Sequence, residues 1–428
     1  MIGMSRIVGS TFDSLRVRNY RLYFAGQVVS VSGSWMQRVA QAWLVLHLGG
    51  GGFALGVVTG LQFLPLLLGG AWAGLLADRF DKRRLLLKTQ AAMGLLALVL
   101  GLLTILGWAQ LWMVYLLALA LGAVTAVDNP ARQAFVGDMV VREQVMNAVS
   151  LNSAVFTAAR VVGPALAGLL INAVGTGWCF IVNALSFGAV LLALAAMKRE
   201  ELLPATPASP RPGLVREGLR YAWSNLELRI PLLLMAVVGT LALNFTVILP
   251  LMASQTFHGD AGTFGLLFST LGLGSVLGAL FTARRRQPSR RLLLLSLLGF
   301  GICMLAAAAA PSVWTELAVL LPLGVASTAF QATSNSTLQV NSEPALRGRV
   351  MALYGVVFMG TTPIGAPIIG WVSQQAGPRA ALALGGVSVL FALAAFGLWL
   401  APRGRSGQGS RRQRYKNRAS DAGPVLRG

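Results

Sequence analysis

Apolar runs of about twenty residues, parted by short polar links, recur from Leu22 to Ala401, and a run of that length crosses the hydrocarbon of a bilayer as a helix. Twelve such spans are read at 22–48, 53–77, 84–107, 111–134, 148–171, 177–197, 230–252, 264–283, 292–310, 314–337, 350–372 and 380–401. The runs are long and continuous rather than short and alternating, so the pattern predicts an all-α membrane protein and not a closed barrel. The 49 glycines do not argue for loops, because small residues let membrane helices approach closely.

The longest link, between spans six and seven, divides the spans six and six. It predicts an N-terminal segment 1–21, an N-terminal six-helix half 22–197, a linker 198–229, a C-terminal six-helix half 230–401 and a basic polar tail 402–428. The linker opens with a proline-rich stretch. Its second part sets Val215, Leu219, Ala222, Trp223 and Leu226 on one helical face, which fits a helix on the membrane surface or one packed on the bundle. The halves carry traces of duplication. "VMNAVSLN" at 145–152 resembles "VMALYGVV" at 350–357, and "RVVGPALAGLL" at 160–170 resembles "TPIGAPIIGWV" at 362–372. A parallel repeat of a six-helix unit gives such an offset.

Charge refines this picture. Only 11% of residues are charged, against about a quarter in a soluble domain. A net charge of +21 would suggest nucleic acid in a soluble protein. Here the bases sit before span one, in every even-numbered link and after span twelve; among odd-numbered links only the last has one, Arg379. That alternation is the positive-inside pattern and predicts a multi-pass protein of the plasma membrane with both termini in the cytoplasm. Cys179 and Cys303 both fall inside spans and imply no disulfide framework.

The link between spans two and three reads "GLLADRFDKRRLLLK". Gly74, Asp78, Arg79, Lys82 and Arg83 at that address resemble the signature of the major facilitator superfamily, with Asp81 where the family pattern has a second glycine. The link between spans eight and nine keeps Gly278 and its bases but has Thr282 in the acid's place. "RNYRLYFAGQVVSVSGSWM", "DNPARQAFVGDMV" and "ARVVGPALAGLL" are similar to the drug-exporting, macrolide-efflux and enterobactin-exporter-like branch. The resemblance implies the twelve-helix fold of two pseudo-repeats, a conformational latch of Gly74, Asp78, Arg79, Lys82, Arg83 and Asp128, and an antiporter-like motif of Arg160, Gly163, Pro164 and Gly168. It implies proton antiport by a monomer, with a small-molecule cargo, protons and lipid as partners, no cofactor and no nucleic acid. In the latch the bases would bind Asp128 in the outward-facing state; a permanent structural pairing of Asp128 with Arg132 or Lys82 is the alternative.

Ionisable residues at membrane depth are costly and usually functional. Arg38, Asp128 and Arg160 are the three read at depth; Glu316 is placed at the outer end of span ten, at a wet surface or in a cavity. Arg38, Gln37, Gln41, Asn152, Phe156, Asn183, Asn244 and Gln331 are candidates for a polar-spotted apolar cavity, or for contacts between helices. Two arginines at mid-depth without a nearby acid favour anionic or neutral amphipathic cargo over cations. The chain shows no metal-spaced His, Cys and acid set and no phosphate-cradling G-x-x-x-x-G-K-[ST] loop, which speaks against a membrane enzyme and a primary pump. An importer or uncoupled facilitator on the same fold is the alternative.

Overall fold

A computed structural model describes residues 12–203, 214–285, 287–344 and 346–400. The side chains at 71, 74, 75, 77, 78, 214–218 and 397–400 are outside the description, as are the proline-rich part of the linker and the tail. The first six spans are the helices Arg18–His47, Gly52–Arg79, Lys82–Ile105, Leu111–Met139, Val145–Val174 and Thr176–Ala195. Span seven is Leu226–Leu241 continued by Phe245–Leu251. Spans eight to ten are Ala261–Ala283, Arg290–Ala309 and Val313–Asn341. Span eleven is Arg347–Gly360 continued by Thr362–Ala376, and span twelve is Pro378–Leu400.

Eleven described segments are long and apolar enough to cross a membrane. Span one is not among them, because Gln27, Gln37, Arg38 and Gln41 dilute it. Its packing replaces what its hydropathy lacks, since it lies along spans five and six. The two breaks have local causes. Pro363 sits in the first turn of the second piece of span eleven, where its missing N–H costs least. In span seven Asn244 donates to the Thr240 carbonyl at 2.8 Å, satisfying an acceptor at the break.

The contacts show the duplication more clearly than the sequence does. Spans 1·5, 1·6, 2·4, 3·4 and 3·6 pack together in the first half, and 7·11, 7·12, 8·10, 9·10 and 9·12 pack in the second. Each pair maps onto its partner by a shift of six spans. Between the halves the main contacts are 2·11 and 5·8, which exchange under the same shift.

Those contacts lie toward one end. The links before spans three, seven and nine define the basic end; the opposite end is called the far end. Gly52 and Gly56 of span two lie against Gly370 and Ala366 of span eleven, and Gly168 of span five lies against Ala261 and Gly262 of span eight. Any side chain there would collide with backbone, so glycine permits the approach. Toward the basic end the same four helices carry exposed apolar side chains, among them Trp72, Met146, Phe281 and Val356. Close glycine approaches between the halves run from the far end to mid-helix, while Gly69, Gly348 and Gly355 nearer the basic end meet nothing, so the bundle is closed at the far end and parted at the basic end. The linker helix Leu214–Ser224 rests on the first piece of span eleven, and its Tyr221 hydroxyl accepts the Glu343 N–H at 3.1 Å. Ala222 faces inward while Leu219 and Trp223 stay exposed, so the helix is both packed and open on one face.

Candidate transport site

At the basic end, Asp81 caps span three by accepting the Arg84 N–H at 2.8 Å. This gives the acid at the position of the family's second glycine a structural use. Lys82 pairs with Asp138, at the end of span four, at 2.8 Å. The Arg83 guanidinium donates to the Leu194 and Ala195 carbonyls at 2.7 and 3.0 Å, closing the last turn of span six. Arg79 is exposed, and Gly74 and Asp78 lie on the helix with side chains outside the description.

In this conformation the bases do not bind Asp128, and the pairing present is the alternative one, with Arg132. Asp128 is buried deeper in the first half, where Thr89 and Gln90 of span three donate to one carboxylate oxygen at 2.6 and 2.9 Å. The other oxygen lies 3.6 Å from Arg132, one helical turn on. The sequence puts Arg132 near the end of span four, beside the next link. The helix runs on to Met139 rather than ending at residue 134, which sets Arg132 further from its end. The i, i+4 spacing of an acid and a base in "DNPAR" was the available signal.

Arg132 also donates to Gln27 and Asn129, at 3.3 and 2.7 Å, and lies over the Phe156 ring at 5.1 Å. Further toward the far end, Arg38 and Arg160 stand over one ring, that of Trp35, at 4.4 and 5.7 Å. Trp35 in turn meets Phe268 of span eight at 5.9 Å, so this group sits where the halves meet. Arg38 is exposed although its helical neighbours Gln37 and Val39 are buried, which places it on an open inner wall. Arg160 has a buried Nε without a hydrogen-bond partner. Among the described residues no ion pair reaches either guanidinium.

Span five brings Arg160 there by close packing. Gly163 admits the Trp35 side chain and the Ser32 carbonyl. Pro164 cannot donate to the Arg160 carbonyl, and Gly272 of span eight sits against that oxygen. Gly168 continues the same face toward the far end.

Three of the amides expected in the cavity, Gln37, Gln41 and Asn183, join helices instead, and two, Asn244 and Gln331, bond within their own segment. Asn183 donates to Gln37 at 2.5 Å, Gln62 to Gln41 at 2.9 Å, and all but the half-buried Gln62 are buried. Asn244 is buried on the Thr240 carbonyl, and Gln331 donates to the Ser327 carbonyl at 3.2 Å. Arg38, Asn152 and Phe156 remain on partly open surface. Glu316 is a second correction. It is fully buried, and neither carboxylate oxygen has a hydrogen-bond partner. The nearby Arg379 donates to the Ala310 carbonyl at 2.7 Å. Among the described residues no cluster of His, Cys, Asp and Glu could hold a metal ion.

A family model described as "Transmembrane secretion effector" matches residues 9–423. The chain belongs to that family. Its relatives lie in the major facilitator superfamily and match along most of their length. The staphyloferrin A transporter of Staphylococcus aureus is 24% identical over 86% of this chain and 93% of its own. The multidrug efflux pump Tap of Mycobacterium tuberculosis is 27% identical over 82% and 86%. The enterobactin exporter EntS of Shigella flexneri is 25% identical over 79% and 80%. Among solved structures, a bacterial homologue of the human lysosomal transporter Spinster has a TM-score of 0.70 at 15% identity, covering 89% of this chain and 96% of its own. The nucleoside transporter NupG reaches 0.68 at 13% identity, covering 90% and 98%. Both share the fold of this family member, a multi-pass membrane protein.

Proposed function

We propose that this protein exports small amphipathic compounds, anionic or neutral, by alternating access coupled to proton entry. Relatives named as exporters and efflux pumps support outward transport. The positive-inside pattern assigns the basic end to the cytoplasm, so the conformation is open to the inside. A molecule entering from the cytoplasm meets Arg132 with Phe156 first, then Arg38 and Arg160 with Trp35.

The observation that carries the cargo class is the pair of guanidiniums on one indole ring, which no ion pair reaches among the described residues. Two like charges this close disfavour each other in a low-dielectric wall, and an anion relieves that repulsion. Guanidinium binds carboxylate or phenolate oxygens through a rigid fork, while indole takes an apolar face. Asp128 is the acid nearest this path and is the proposed proton carrier of the antiport. Protonating it would release Arg132 from its ion pair, which links the proton to the wall that cargo passes. The protein acts as a monomer in this reading.

The test is a transport panel in inside-out vesicles, with compounds matched in size and hydrophobicity but differing in charge. Wild type should prefer anions, and Arg38→Gln and Arg160→Gln should each cut that preference by about tenfold, the loss of one charge-assisted contact. A preference for cations in wild type, or an anion preference that survives both substitutions, contradicts the reading.

A further inference from the structure

We propose that the far end is held shut by two repeat-related amides, Asn172 and Gln374. Each reaches from the fifth helix of its own half to the start of the second helix of the other half. The register that sets Arg160 on Thr362 also sets Asn172 on Gln374. It further sets Gly175 on Gly377, and these end their helices alike, with φ of 93° and 86°. Both amides therefore sit in the last turn of equivalent helices, three residues before an equivalent left-handed stop.

Their contacts are reciprocal across the interface. Asn172 donates from Nδ2 to the Asp260 carboxylate at 2.5 Å. Asp260 is the cap of span eight; its other oxygen accepts the Thr263 N–H at 2.9 Å. On the opposite side Gln374 accepts the Phe53 N–H of span two at 3.1 Å. Gly51 is the cap residue before span two and supplies no side-chain cap, so the other half supplies one for a donor the helix cannot satisfy. The start of span two is bare for a steric reason as well, since a Cβ on Gly51 would run into the Gln374 amide.

Each bond joins the halves and exists only while their far ends touch. Rocking the halves open at the far end breaks both, so they favour the closed state over the open one by their own differential contact. They form a far-end counterpart to any latch at the basic end, built from neutral amides and helix starts rather than from a cluster of bases. The inference does not depend on the cargo, or on which side of the membrane the far end faces.

The full chain in lipid nanodiscs, with Cys179 and Cys303 replaced, carries spin labels at Gln110 and Gln255, exposed far-end positions on opposite halves. Distances are compared for wild type, Asn172→Ala, Gln374→Ala and the double variant. Each single change should raise the ratio of far-end-open to far-end-closed molecules about fivefold, the worth of one net hydrogen bond. The double change should raise it about twenty-five-fold, since distant sites add. A double variant with the wild-type distance distribution overturns the proposal. A second arm replaces Asn172 and Asp260 with cysteine. Oxidation should stop transport and reductant should restore it. Transport that continues with the cross-link formed, or two thiols that stay free under oxidation, counts against the pairing.

Discussion

At the scale of single residues, the protein keeps unlike acids for unlike ends. Asp81 and Asp260 cap helices at the surface, Asp138 answers Lys82, and Asp128 lies buried beside Arg132. Asp128→Asn keeps an acceptor for Thr89 and Gln90 but removes the charge facing Arg132. It should weaken transport driven by a pH gradient at least tenfold while changing cargo affinity less, as read by flux against equilibrium binding. Equal losses in both would make Asp128 a structural partner only. Glu316 calls for the opposite expectation. A buried carboxylate paired with Arg379 would cost about 3–5 kcal/mol to break, whereas one without a partner loses little on becoming an amide. Glu316→Gln should leave thermal unfolding within about 1 kcal/mol of wild type or raise it. A large loss of stability would show that Glu316 is charged and paired. Arg38, Asp128 and Arg160 stand out in the sequence because charge is rare against an apolar background. Glu316 is fully buried where a wet surface or a cavity was expected, because its place near the end of span ten does not reveal which face meets a neighbouring helix.

At the scale of helices, glycine position decides which faces can meet. Gly56 lies with its Cα against Ala366 and Pro367, leaving no space for a branched side chain. Gly56→Val should wedge spans two and eleven apart, shift the spin-label distance between Gln110 and Gln255 outward, and cut transport by more than tenfold. A wild-type distance in a folded Gly56→Val protein would mean the interface yields elsewhere. The cap of span eight makes a pH prediction. The Thr263 N–H holds the Asp260 carboxyl below the usual carboxylate range. The charged, pinned form is therefore complete above that range and is lost only as pH falls through the lowered value. Far-end distances should stay unchanged from neutral down to about pH 5. A shift in that interval would contradict this role for Asp260. Helix number and order were legible from apolar run length. The breaks in spans seven and eleven were not, because Asn244 and Pro363 read equally well as features of unbroken membrane helices. The buried amides were read as cavity candidates for a similar reason: Gln37 and Asn183 find each other across 146 residues, a pairing that no local pattern reveals.

At the scale of the whole molecule, the six-span shift that relates the packing pairs explains why the protein can close at one end and part at the other. Two equivalent halves joined by spans 2·11 and 5·8 can rock about that seam. The basic links predict the sidedness. Single cysteines at Gln110 and Gln255, in a background lacking Cys179 and Cys303, should react with an impermeant thiol reagent outside intact cells, and cysteines at Arg142 and Ser224 should not. Labelling at position 142 from outside would reverse the assignment. The central claim is that a basic, aromatic-lined inner wall carries anions outward against entering protons. Its most direct test is accumulation of an aromatic carboxylate by inside-out vesicles holding the purified protein, with and without an imposed gradient that is acidic within. The account predicts accumulation only with the gradient, lost in the Asp128→Asn protein and reduced in Arg38→Gln. Equilibration of the carboxylate to equal concentrations regardless of the gradient, or gradient-driven accumulation of a cation in its place, would contradict it.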